Sequence, residues 1–145
     1  MPIKRIVHPT DFSEPSRNAF DYALEIAHRS EAELSVIHST RNAYIYGSDE
    51  MMKELVRNPS RPDVQIETDI KIGNTVQNIL DEPADLIVLG SKGKSGIEQV
   101  LFGSVTRDVI LRSAVPVLIV PEKSEYADLE HITFTTDYHE GDLDA

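Results

Sequence analysis

Short apolar, β-branched runs alternate with stretches of helical periodicity along most of this chain, and that alternation restricts the fold more than any other feature. "IKRIV" (3–7) reads as a strand and stops at the proline and polar cluster of "HPTDFSEP". Ser13, Glu14 and Pro15 read as a helix start, with a capping side chain, an early acid and a first-turn proline. Ala19, Ala23, Ile26 and Ala27 then recur at helical spacing to a helix end near Ser30. "ELSVIHS" (33–39) reads as a second strand. "SDEMMKELV" (48–56) reads as a short helix capped by Ser48 or Asp49 and broken by "NPSRP". "VQIETDIKI" (64–72) alternates like a strand, and Gly73 and Asn74 turn it into a helix over 75–82. "ADLIVLG" (84–90) reads as a buried strand, 104–113 as a helix with Val105 and Val109 on its stripe, and "VPVLIVP" (115–121) as the last strand. The result is β-α-β-α-β-α-β-α-β, which indicates a parallel sheet covered on both faces.

In such sheets ligands bind outside the carboxyl ends of the strands, where the strand order reverses. That singles out the loops after strands 1 and 4, "PTDFS" and "GSKGKSG". Charge narrows the partner. The chain carries 14 basic and 25 acidic residues, a net −11, which opposes general nucleic-acid binding. From 122 to 145 there are eight acids and one lysine, so the rest is far less anionic, and a small polyanion can bind where lysines and backbone N–H groups gather. There is no run of about 18 apolar residues for a membrane span and no cysteine for a disulfide or thiolate metal site. No signal-peptide pattern opens the chain, and a cytoplasmic location is the simplest reading.

The glycine loop is not a P-loop. If Gly93, Lys94 and Ser95 closed G-x-x-x-x-G-K-[ST], the first glycine would fall at Val88. The dinucleotide pattern G-x-G-x-x-G fails at Lys92. What remains is Gly90-x-x-Gly93, nine residues, then Gly103-Ser104. Gly90 ends a buried strand where a side chain would block the crevice, and Gly93 allows close approach or positive φ. Gly103 and Ser104 open a helix whose first N–H groups are unpaired, with Ser104 as cap, and a phosphate suits that place.

Gly90-x-x-Gly93-(nine residues)-Gly103-Ser104 resembles the ATP-binding signature of the universal stress protein family. "RIVHPTDFS" (5–13) resembles that family's first strand and loop, and "VPVLIVP" its last strand. The likeness covers about 1–121. It implies an adenine nucleotide alpha hydrolase-like fold, a doubly wound five-stranded parallel sheet of order 3-2-1-4-5. It implies ATP, with Mg²⁺ on the phosphates, in a stress-response module. Pro9, Thr10 and Asp11 would line the adenosine end, Asp11 meeting the ribose. The backbone near Ser39 would contact adenine, and Gly90, Gly93, Gly103, Ser104 and Val105 would surround ribose and phosphates. Lys92 and Lys94 lie on the loop between. The family's usual dimer implies a homodimer through the strand at 115–120.

Blander readings stand beside these. Asp11 can simply close a turn, the glycines can serve turns alone, and Lys92 and Lys94 can be solvated charges. His8 and His38 end adjacent strands, but a closed zinc site needs about four ligands; burial or a place beside the ligand suits them better. Ser13 and Ser104 show no spacing to a base and its orienting group, so no catalytic residue is assigned and at most slow ATP hydrolysis is expected. A nucleotide-free dimerisation scaffold and an α/β enzyme acting on a phosphorylated or adenylated small molecule remain alternatives. Finally, "HITFTTDY" (131–138) echoes "RIVHPTDF" (5–12), with Thr136 and Asp137 matching Thr10 and Asp11 at an offset of 126. This implies an acidic linker followed by the first strand and loop of a second repeat over 122–145, or an extra strand from 131–136 on a sheet edge.

Overall fold

A computed structural model of the chain describes residues 2–41, 47–92, 102–127 and 133. Nine elements follow one another in it: β1 (Arg5–Pro9), α1 (Glu14–Ser30), β2 (Glu33–Thr40), α2 (Ser48–Val56), β3 (Ile66–Ile72), α3 (Thr75–Leu80), β4 (Leu86–Gly90), α4 (Ser104–Arg112) and β5 (Val117–Val120). β1 pairs in parallel with β2 and β4, β3 lies outside β2, and β5 lies outside β4. The order β3-β2-β1-β4-β5 is the doubly wound sheet that the family resemblance implies, and it is parallel throughout, as the alternation of strands and helices indicates.

Alternate strand residues feed two cores. Ile6, Leu34, Val36 and Val88 face α1 and α2, meeting Ala19, Phe20, Ala23, Leu24 and Leu55. Val7, Ile37, Ile87 and Leu89 face α3 and α4, meeting Val76, Ile79 and Val109. Because both faces are covered, the inner strands read as continuous apolar runs rather than alternating ones. Leu24 and Ile79 are completely buried, and truncating either to alanine costs about 2–5 kcal/mol.

Element ends differ from the sequence reading for local reasons. β5 begins at Val117, not Val115, because Val115 N–H turns onto the Ser113 hydroxyl and Pro116 has no N–H to give. β4 begins at Leu86 because the Asp85 carboxylate turns back to accept from the Lys4 and Arg5 N–H groups. Ser13 caps α1, accepting from Ser16 N–H. α2 is a correction: neither Ser48 nor Asp49 caps it. Gly47 holds the cap position at φ 104° with no side-chain bond, a conformation that suits glycine.

The segment after β5 lies along α1. Asn18 Nδ2 donates to Pro121 O, Tyr22 Oη donates to Glu125 O at 2.6 Å, and the Tyr22 and Tyr126 rings meet edge-on at 5.2 Å. The Arg29 guanidinium sits 5.4 Å from the centre of the Tyr126 ring. Thus residues 122–127 run as a strap from the first turns of α1 toward its far end. The segment 131–136, apart from Thr133, falls outside the described residues.

Candidate functional site

Three carboxyl-end loops and three helices meet at a cleft of about 330 Å³, within the usual range for small-molecule sites. Pro9, Thr10 and Asp11 come from the end of β1, His38 and Ser39 from β2, and Leu89, Gly90 and Lys92 from β4 and its exit. Thr75 and Ile79 of α3 form one wall, and Gly103, Ser104, Val105 and Thr106 of α4 the other. Nine of the eleven residues singled out from the sequence therefore share one cleft. Gly93 and Lys94 lie outside the described residues.

The loop after β1 is held from several sides. Thr10 Oγ1 accepts from Phe12 N–H at 3.0 Å and from the Ser16 hydroxyl at 2.9 Å. Asp11 Oδ1 accepts from both the N–H and the hydroxyl of Ser13, so this carboxylate closes a turn and lines the cleft at once. Phe12 sits at φ 62°, a left-handed conformation that costs a non-glycine residue about 1–2 kcal/mol. Its buried ring, 4.6 Å from that of His38, offsets the strain by packing. His38 Nδ1–H donates to Thr10 O at 2.8 Å, and Thr10 N–H donates to Ile37 O.

The loop after β4 is tied to α4. Ser91 N–H donates to Val120 O, Gly103 N–H to Ser91 O at 3.0 Å, and the Thr106 hydroxyl to Gly90 O at 3.1 Å. Two expectations change here. Gly103, not Ser104, holds the cap position of α4, at φ −61° and without a side-chain cap, because its tether to Ser91 decides where the helix begins. Gly103 N–H is therefore spent, and the amides left for an anion are those of Ser104, Val105 and Thr106, which have no acceptor among the described residues; the first helical bond runs from Arg107 N–H to Gly103 O. The need for glycine at 90 also differs from the expected one. A Cβ there would lie 3.0 Å from Pro15 O and 3.2 Å from Pro15 C, so the crowding comes from the start of α1 rather than from within the crevice.

The two histidines have separate roles. His8 is completely buried against Phe20, and its Nδ1–H donates to Val88 O at 3.0 Å. Burial pushes its pKa down to about 4, against the opposing pull of the Val88 carbonyl and the Asp11 charge, so it is neutral near pH 7. His38 lines the cleft. Among the described residues no three His, Cys, Asp or Glu side chains gather for a metal, and no helix is long and apolar enough to cross a membrane.

Ser16, Thr75, Ile79, Leu89 and Thr106 line the cleft without having been singled out from the sequence. Thr106 has a sequence signal, a hydroxyl two residues past the helix start. Thr75 and Ile79 had only their place on the helix that follows β3, whose start faces the same edge of the sheet.

The universal stress protein family model matches residues 2–121. The chain belongs to the universal stress protein family. Universal stress protein MJ0531 of Methanocaldococcus jannaschii is 33% identical over 138 residues, spanning 81% of this chain and 81% of the relative. A universal stress protein solved in complex with cAMP is 32% identical, with a TM-score of 0.66 over 85% of this chain and all of the other. The structure of MJ0577, from the same archaeon, is 26% identical with a TM-score of 0.72 over 86% of this chain and all of the other.

Proposed function

We propose that this universal stress protein binds an adenine nucleotide across the carboxyl edge of its sheet, as ATP with Mg²⁺ on the phosphates, and acts as a homodimeric stress-response module rather than an efficient enzyme. The observation that carries the reading is the cleft itself. Open amides at Ser104, Val105 and Thr106 face the same space as Lys92, a place for an anion. An apolar floor of Ile79, Leu89 and Pro9 and the hydroxyl of Ser39 lie in the same space for a nucleoside. The relative solved with cAMP supports the adenosine and first-phosphate part of this ligand. In this reading Asp11 accepts from a ribose hydroxyl, through a carboxylate that also accepts from Ser13. The Ser13 hydroxyl donates to Asp11 and accepts from Ser16 N–H at the α1 cap.

A ligand that binds only the folded state at about 100 times its Kd adds about 2.7 kcal/mol of stability, a rise in Tm of about 5–10 °C for a domain of this size. Thermal melts with and without millimolar Mg-ATP read this directly. Gly103→Val puts a branched side chain before the open amides and removes the rise. If wild type and Gly103→Val melt alike with and without ATP, the nucleotide-free scaffold is the better reading. ATP turnover well above background favours the enzyme instead. The dimer draws support from β5 at the sheet edge and from Leu111 and Ile110 on α4, 75% and 41% exposed.

A further inference from the structure

One residue outside the loops reaches a hydroxyl that lines the cleft. Ser39 stands at the end of β2, on the face that α3 covers, and lines the cleft. Asn78, on the second turn of α3, donates from Nδ2 to Ser39 Oγ at 3.1 Å. Both residues are partly buried. A hydroxyl has one hydrogen to give and two lone pairs to receive. Asn78 fills one lone pair, and the Ser39 hydrogen has no acceptor among the described residues. Asn78 itself is anchored, its N–H donating to the O of Asn74, the cap residue of α3.

We propose that Asn78 is a positioning residue that fixes the polarity of Ser39, turning its hydroxyl hydrogen into the cleft as a donor to an acceptor atom of the bound nucleoside. This rests on the adenine-nucleotide reading above and extends it. The site then favours a ligand with a lone pair at that point, a ring nitrogen or a sugar oxygen, and disfavours one presenting N–H there. An aspartate in place of Asn78 accepts instead of donating. It takes the Ser39 hydrogen for itself and leaves lone pairs facing lone pairs.

Calorimetric titration with ATP and with uncharged adenosine tests this, adenosine removing the repulsion between a new carboxylate and the phosphates. Ser39→Ala weakens both ligands about fivefold, the worth of one ordinary hydrogen bond. Asn78→Asp weakens them by at least as much and Asn78→Ala by less, since a freed hydroxyl can still rotate to donate. In a Ser39→Ala background, Asn78→Asp has no hydroxyl to turn and changes adenosine affinity less than twofold. Melting of each variant alone separates these effects from loss of folding. Analogues that each lack one acceptor, 2′-deoxyadenosine and the ring-nitrogen deaza series, tell sugar from base: the one that loses nothing further in Ser39→Ala has lost the partner of Ser39. Wild type binding neither ATP nor adenosine overturns both readings. Wild type binding while Asn78→Asp costs the same with and without Ser39 overturns this one alone, as does full additivity of Ser39→Ala with every analogue.

Discussion

At the scale of single residues, His8 carries the most definite pH signature. Burial holds its imidazole neutral down to about 4 in the folded chain, while the unfolded chain takes up that proton below about 6.5. Between these values the unfolded state binds more protons, so stability falls as pH drops from about 6.5 to about 4 and is fully present above that window, an effect on the order of 3 kcal/mol. Glu25, held down to about 2 by Arg61 and Arg29, has a contribution that fades only as pH falls below the ordinary carboxylate range. Urea midpoints measured from pH 7 to pH 4.5 therefore decline in wild type. His8→Phe, which keeps a ring against Phe20 but cannot titrate, flattens that decline. Asp11 was legible from "PTDFS" because a short acid after a strand end closes a turn wherever it sits. Asn78 was not legible: its meaning comes from Ser39, 39 residues earlier in the chain.

At the scale of elements, the approach of β4 to α1 sets the tightest constraint. The end of β4 leaves no room for a side chain at residue 90 beside the Pro15 carbonyl. Gly90→Ala must push back a helix start that is also fixed by Ser13 and Ser16, and overpacking of this kind costs about 1–3 kcal/mol. Guanidinium unfolding of Gly90→Ala shows a lower midpoint with an unchanged slope. An unchanged midpoint would mean the two elements are not so closely set. The succession of elements was plain in the sequence because each strand and helix carries its own periodicity. Their ends were less so. A hydroxyl preference pointed to Ser104 as the cap of α4, yet a backbone bond from Gly103 to Ser91 moved the cap one residue earlier. Long-range backbone pairing of this sort leaves no mark in a local pattern. The wall formed by α3 was hidden for the same reason, since a six-residue helix gives little periodicity and its site role depends on the register of β2 beside it.

At the scale of the whole molecule, charge opposes the association proposed through β5. Each chain carries a net −11, so two copies repel over a Debye length of about 30 Å at 0.01 M salt but only about 8 Å at 0.15 M. If the proposed dimer forms, sedimentation will show it strengthening as salt rises. Leu111→Glu, at a side chain already 75% exposed, shifts the protein toward monomer without lowering its Tm; a dimer unaffected by this change lies elsewhere. The strap of residues 122–127 sets a different boundary condition. β5 ends beside the cleft mouth, yet the backbone turns away at Pro121 and descends the flank of α1, held by Asn18, Tyr22 and Arg29. As far as Tyr126, the strap thus lies on the side of the sheet opposite α3 and α4. The cleft and the strap are therefore kept on separate fronts, and a change at one need not disturb the other.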